Sequence, residues 1–315
     1  MKVPHIAIIV LHYKNLADTR ACLKSLEKID YPPIISPLVF RGGLKGGFSV
    51  IVVNNDAVEH GRTLKNEFSN ITLIQNQSNA GFAEGNNVGI RHALADSQTD
   101  AVLILNNDTQ VEPDFLNEMA SELSPPYQGG DTEGVHMIAA CMMQYDKRDT
   151  VDNLGVVMMK SGLPFNRIDE HQKLFCPSAG CALYSRKLLE RVAYERNGEQ
   201  YYFDRTYFAY AEDLDLGFRA RLLGFEPAYA KDAVVYHKGS ASSSKLSDLA
   251  VCNTYRNLIW TQYKNYPATL FLRNLFWLIL GWKLIFLGYV FKGRPLVMIR
   301  AVFDGIRGLS TMKQK

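Results

Sequence analysis

Along the first hundred residues the apolar positions fall in short unbroken runs, and each run stops on polar side chains. Ile6 to Leu11 ends at His12, Tyr13 and Lys14. It is shorter than the apolar region of a secretory signal and predicts a first β-strand. "FSVIVVNND" predicts a second strand, "ITLIQN" a third and "AVLILNND" a fourth. Between strands the spacing becomes helical. Leu16, Cys22, Leu23, Leu26 and Ile29 share one face of "NLADTRACLKSLEKI", and "GFAEGNNVGIRHALADS" carries a helix centred on Val88 to Ala95. Apolar strands separated by helices predict an α/β fold, a mostly parallel sheet covered on both faces. Such sheets bind ligands beyond the carboxyl ends of their strands. Three runs end there in polar clusters: His12-Tyr13, Asn54-Asn55-Asp56 and Asn106-Asn107-Asp108.

The remainder is less regular. "DYPPIISPLVFRGGLKGG" reads as a connecting loop; it does not match G-x-x-x-x-G-K-[ST] and no helix follows, which argues against a P-loop. "SPPYQGGDTEG" reads as a surface loop, and Val135 to Tyr184 as short strand-like pieces and turns. "YFAYAEDLDLGFRARLLGF" returns to helical spacing through Leu214, Phe218, Leu222 and Leu223. "EPAYAKDAVVYHKG" is a strand ending at His237. The tail differs again. "LFLRNLFWLILGWKLIFLGYVF" is long enough to cross a membrane, but Arg273 and Lys283 interrupt it, and a central Lys costs about 2.5–3.5 kcal/mol there. With "KGRPLVMIRAVFDGIRGL" beside it, and Trp277, Trp282 and Tyr289 suited to headgroup level, the tail predicts amphipathic helices lying on an anionic leaflet. A buried helical subdomain, a homodimer face and a true span are the competing readings.

Composition changes little. With 47% hydrophobic and 21% charged residues over 315 positions the chain is globular, and a net charge of +3 gives no argument for a nucleic-acid partner. The five cysteines are scattered, with Cys176 and Cys181 the only close pair, as in a reduced, cytosol-facing protein.

Four clusters carry candidate chemistry. Asp108 follows two amides out of a strand; carboxylate and amide oxygens suit Mg²⁺ or Mn²⁺ held with phosphates, although Asn and Asp also favour ordinary turns. In "NAGFAEGNNVGI", Gly81, Gly85 and Gly89 permit close approach of a ligand or of another element. Glu212, Asp213 and Asp215 open a helix, where they either complement its dipole or supply a general base. His237 alone says little.

Taken in order, "VLHYKN", "VIVVNND", "NQSNAGFAEGNNVGI", "VLILNNDTQVEPDFL", "SAGCALYSRKLL", "YFAYAEDLDLGFRARLLGF" and "VVYHKGSAS" resemble a family 2 glycosyltransferase, within it the bacterial rhamnosyltransferase-like enzymes of polysaccharide assembly. The resemblance runs from about Ile6 to Ser243. It implies a GT-A fold (Rossmann-like) over 1–244, with a nucleotide-binding part to about 124 and an acceptor-side part from 125, and a C-terminal helical membrane-association region over 245–315. It implies a nucleotide-sugar donor, dTDP-L-rhamnose or a UDP-hexose, and a divalent cation on Asp108 and His237, with Asn106 where relatives carry a first Asp. Asp213 becomes the catalytic base beside Glu212. His12, Tyr13, Asn54, Asn55, Asn79, Gly81, Phe82, Asn86, Asn106 and Asn107 become donor contacts. Relatives often have Asp at the position of Asn54, and a shorter link than 34–47. The hydrophobic tail suggests as acceptor a polyprenyl-diphosphate-linked glycan on the cytoplasmic face of the membrane. A nucleotidyltransferase would need a glycine-rich loop after the first strand, which "LHYKNLADTR" lacks. A non-catalytic sugar-nucleotide-binding module stays open through Asn54 and Asn106.

Overall fold

The computed structural model describes residues 3–31, 47–123, 134–196, 198–239 and 247–312. The two loops expected over 30–47 and 124–134 lie, apart from their ends, outside the described residues.

The expected alternation is present. Strands β1 (His5–His12), β2 (Gly47–Asn54), β3 (Ile71–Gln75) and β4 (Ala101–Asn106) are joined through α1 (Leu16–Leu26), α2 (Val58–Glu67) and α3 (Gly81–Ala95). A short β5 (Thr109–Val111) and α4 (Phe115–Ser121) follow, then β6 (Val135–Gln144) and β7 (Val151–Asn153). The hairpin β8 (Val156–Met158) and β9 (Pro164–Asn166) precedes β10 (Cys181–Ser185) and α5 (Arg186–Val192). A second small hairpin, β11 (Tyr194–Arg196) and β12 (Glu199–Tyr201), leads to α6 (Glu212–Leu222) and β13 (Glu226–His237). The C-terminal helices are α7 (Asp248–Asn265), α8 (Ala268–Phe291), α9 (Pro295–Arg307) and α10 (Leu309–Met312).

The main sheet runs β3-β2-β1-β4-β10-β6-β13-β5, with β7 on β6. The parallel pattern holds from β3 to β4; β10 enters antiparallel on both sides, so the whole sheet is mixed. Both faces of β1 are buried. Ile6, Ile8 and Val10 pack with Leu23 and Leu26 of α1 on one side; Ala7 and Ile9 pack with Ala83 and Ile90 of α3 on the other. That double burial explains an unbroken apolar run, and each buried Ile, Leu or Val contributes about 1.5–3 kcal/mol. The α3 glycines divide between uses. A Cβ on Gly85 would meet Leu11 at 2.5 Å and one on Gly89 would meet Ile9 at 2.6 Å, so these two let the helix lie close on β1.

Helix α7 packs on α6 and on α9. Along α8, Asn274, Leu278, Gly281 and Tyr289 face inward: Gly281 abuts Ser161, Leu278 abuts Gly162, and Tyr289 packs edge-on to Tyr255 of α7. The other face of α8 and α9 is apolar and open, with Leu272 at 69%, Phe276 at 68%, Phe291 at 87% and Leu296 at 77% exposure.

Candidate functional site

Parallel register delivers the polar strand ends to one edge: His12 lies opposite Asn54, and Leu11 opposite Asn106. The chain turns immediately after β4 into β5, which pairs antiparallel with the end of β13 and sets His237 opposite Thr109. This pairing brings His237 to Asp108, 129 positions away in sequence. His237 Nε2 lies 3.3 Å from Asp108 Oδ1, and its Nδ1 lies 2.8 Å from Asp152 Oδ2. Burial disfavours the charged imidazole, but hydrogen bonds and charge from Asp108 and Asp152 outweigh it and raise its pKa to about 9. Nearby Lys238 pairs with Asp18.

The acidic helix stands across a short turn from this edge. Ala179 N–H donates to Asp213 Oδ2 at 3.0 Å, and the adjoining Gly180 carbonyl accepts from Asn106 N–H at 2.9 Å. Leu214 N–H donates to Asp213 Oδ1 at 2.7 Å. Half-buried Asp213 has its pKa raised by desolvation, against which the backbone N–H groups act. Glu212 is buried, and its Oε2 has no hydrogen-bond partner; burial, then the charge of Asp213, pushes its pKa up to about 8. Asp215 differs. Burial works against its ionisation, but Arg219 at 3.1 Å and Lys264 at 2.7 Å prevail and keep it ionised. The structure thus sorts the three carboxyl groups into an ion-paired Asp215, a buried Glu212 that favours its neutral form and a half-buried Asp213 held by backbone N–H groups.

The segment before α6 is strained. Phe208, Tyr210 and Ala211 have φ of +63°, +76° and +65°, each costing about 1–3 kcal/mol outside glycine. Asn257 of α7 holds it: its Nδ2 donates toward the carbonyls of Tyr207, Ala209 and Tyr210 at 3.0, 2.9 and 2.7 Å. On its other side this loop meets the start of α3, where a Cβ on Gly81 would stand 2.5 Å from the Phe208 carbonyl. Gly81 is needed there twice over, for close approach and for its own φ of +80°.

The remaining expected donor contacts divide into open groups and engaged ones. Tyr13 and Asn79 are exposed at the edge. Asn54 is fully buried and engaged internally, donating to the Ala57 carbonyl and Gln75 and accepting from Asp56 N–H. Asn55 donates to the Gly81 carbonyl and accepts from Asn76. Asn86 donates to the Phe82 carbonyl, while its buried Oδ1 has no partner; the Phe82 ring leans on Phe203. Asn107 donates to Thr19 Oγ1, which also contacts His12 Nδ1 at 2.7 Å. Burial, then the neighbouring His60, lowers the His12 pKa to about 4, leaving it neutral.

The sequence profile described as "Glycosyltransferase like family 2" matches residues 4–251, from β1 into α7. The chain is a family 2 glycosyltransferase. A mannosyltransferase from Pyrobaculum calidifontis, solved with GDP-Man and Mn²⁺, aligns over 98% of this glycosyltransferase and 76% of its own chain, with 16% identity and a TM-score of 0.57. GalNAc-T7, with UDP, GalNAc and Mn²⁺, aligns over 84% and 48% with 11% identity and a TM-score of 0.55. S. aureus TarS 1–349 aligns over 98% and 91% with 16% identity and a TM-score of 0.52. At these identities the likeness is one of fold, the GT-A arrangement. No curated protein matches the sequence.

Sequence reasoning missed two members of the glycosyltransferase edge. Asp152 sits on β7, tied to His237 only through pairing with β6, and nothing in "DTVDNLG" announces that neighbour. His60 stands one helical turn beyond Asp56, an i,i+4 spacing that could have been read. The expected cation is compatible with the residues present. Adjacent ligands of a six-coordinate ion with bonds near 2.1 Å lie about 3 Å apart, close to the Asp108–His237 separation, and with Asp152 holding the Nδ1–H an ion would take Nε2 in place of the proton shared with Asp108.

Proposed function

We propose that this glycosyltransferase transfers a sugar from a nucleoside-diphosphate donor to a glycan hydroxyl, with inversion at the anomeric carbon. The observation that carries the reading is the Ala179–Gly180 turn, which touches Asp213 on one side and the β4 edge leading to Asp108 on the other. Asp213 accepts the acceptor hydroxyl proton as that oxygen bonds to the anomeric carbon. The bond to the diphosphate breaks with its electron pair on the leaving oxygen. Ala179 and Leu214 N–H groups fix the carboxylate's direction, and burial makes it a stronger base than an exposed Asp. A divalent cation on Asp108 and His237 would neutralise charge on the leaving diphosphate. One base with no enzyme nucleophile means inversion. The nucleoside end would lie over the exposed Tyr13 and Asn79, with buried His12, Asn54 and Asn55 forming the floor beneath. The diphosphate and sugar would lie by Gly81, Phe82, Asn86, Asn106 and Asn107. The sequence resemblance supports dTDP-L-rhamnose as donor, with a UDP-hexose second. Mn²⁺ in two of the structural neighbours supports the cation.

The acceptor would be a lipid-linked glycan met at the surface of the cytoplasmic membrane. Residues 268–315 carry eight Lys or Arg against one acid, Asp304, beside the open apolar face. Helix α8 is 24 residues long and apolar enough to cross a membrane. Its contacts with the rest of the protein run from Asn274 to Tyr289, and a helix held to the domain over that length favours lying on the surface.

A panel of nucleotide sugars with Mn²⁺ and Mg²⁺, followed by thermal stabilisation, identifies the donor: one diphosphate sugar raises the melting point only with metal. With that donor, Asp213→Asn keeps its affinity and loses about 10²–10⁴-fold in turnover. Near-normal turnover would remove Asp213 as the base.

A further inference from the structure

A second cluster of ligand atoms stands at the β1–β2 edge, apart from Asp108 and His237. His12 ends β1; Asp56 and His60 flank the start of α2. His60 Nδ1 lies 3.0 Å from Asp56 Oδ2 and 3.3 Å from His12 Nε2, and all three atoms lie within 4.8 Å of one another. Their hydrogens can be assigned. An ionised carboxylate only accepts, so His60 Nδ1 carries the hydrogen facing Asp56. His12 Nε2 meets the same N–H and therefore presents its lone pair. Its Nδ1 then donates to Thr19 Oγ1, whose own hydrogen goes to the Asn15 carbonyl at 3.2 Å. One hydrogen thus serves three atoms, each able to bind a cation.

We propose that His12 Nε2, His60 Nδ1 and Asp56 Oδ2 form a binding site for a transition metal ion of the zinc class. Two imidazoles and one carboxylate suit such an ion better than Mg²⁺. Tetrahedral ligands with bonds of 2.0–2.1 Å stand about 3.3 Å apart, so the His12–His60 distance needs little change. The surroundings hold two of the three in place. Thr19 fixes the His12 tautomer, as outer partners do for metal-bound histidines, and Lys14 N–H donates to Asp56 Oδ2 at 2.8 Å from a residue with φ of +65°. His12 is buried while Asp56 and His60 are half-buried, which leaves the fourth coordination position on the open side of the cluster. Binding takes the other tautomer of His60: the proton moves through solvent from Nδ1 to Nε2, and the ion takes the Nδ1 lone pair.

The test is a titration of the metal-free protein with Zn²⁺ by calorimetry and with Co²⁺ by its visible spectrum. Asp108→Ala, which removes the other site, retains one ion and gives the tetrahedral Co²⁺ absorption. In that background His60→Gln and Asp56→Asn each weaken binding by about 100-fold or more, since losing a ligand exceeds the 10–100-fold typical of an outer partner. Asp56→Asn keeps an acceptor for Lys14 N–H, so an unchanged melting point separates lost ligation from lost folding. Equal affinity in all three proteins, or no ion retained by Asp108→Ala, overturns the site. If the reading of this edge as the nucleoside pocket also holds, 1 µM Zn²⁺ weakens donor binding in the native protein and not in His60→Gln. Zinc binding without that competition leaves the site standing and sinks the nucleoside assignment instead.

Discussion

The two acidic centres of this glycosyltransferase are held by opposite means. Asp108, Asp152 and His237 are at or beside strands of one sheet, with ordinary backbone angles, and strand pairing alone sets their separation. Glu212 and Asp213 follow three residues in left-handed conformations that no local pairing explains. Their support is remote: Asn257 clamps the loop carbonyls, and Lys264 pairs with both Asp204 and Asp215 beneath α6. The edge proposed for the diphosphate is therefore a product of the sheet, and the proposed base is held by α7, most of which follows the family-profile match. One centre should tolerate loss of the C-terminal contacts, and the other should not.

The largest effect should come from breaking that remote support. Asn257→Ala leaves three carbonyls of a strained loop without their shared donor, a loss of about 2–4 kcal/mol in stability. Turnover should fall at least tenfold while Mn²⁺ affinity at the Asp108–His237 pair stays within twofold. Denaturant melts, steady-state kinetics and metal titration on one preparation separate these. Equal losses at both centres would mean that α7 supports the whole domain rather than the base.

The same contrast explains what the chain revealed before its fold was seen. The strand ends were legible because parallel strands flanked by helices force their carboxyl ends to one edge, so His12, Asn54 and Asp108 could be aligned by pattern alone. Glu212-Asp213 was visible as charge at a helix start, but which of the three acids stays half-open depends on Arg219, Lys264 and the Ala179 amide. Gly81 was visible as a glycine, and its reason, the Phe208 carbonyl, was not. Asp152 was hidden because pairing across β6, a long-range contact, supplies it to His237.

A smaller effect should sharpen the sheet-built half. Asp152→Asn keeps an acceptor on His237 Nδ1 and removes the charge behind it. Losing such an outer partner typically costs about 10–100-fold in metal affinity. Calorimetry with Mn²⁺ should show a loss in that range, with turnover recovered at saturating metal. An unchanged affinity would mean that Asp108 and His237 bind the ion without orientation from β7.

The smallest effect isolates the neutral acid of the helix-held half. Glu212 has a folded pKa of about 8, above the ordinary carboxylate value near 4.5. Between those values the folded state holds a proton that the unfolded chain releases, so folding draws stability from it. That contribution is fully present below about pH 4.5, declines as pH rises, and is gone above about pH 8. Glu212→Gln lacks this titration. Its melting point relative to the native protein should therefore rise as pH goes from 5 to 8 and level off above that. Comparing the two proteins across pH cancels any constant packing change from the amide. A difference that stays flat would place Glu212 ionised in the folded state at neutral pH, and its Oε2 would then have to find a donor that burial now denies it.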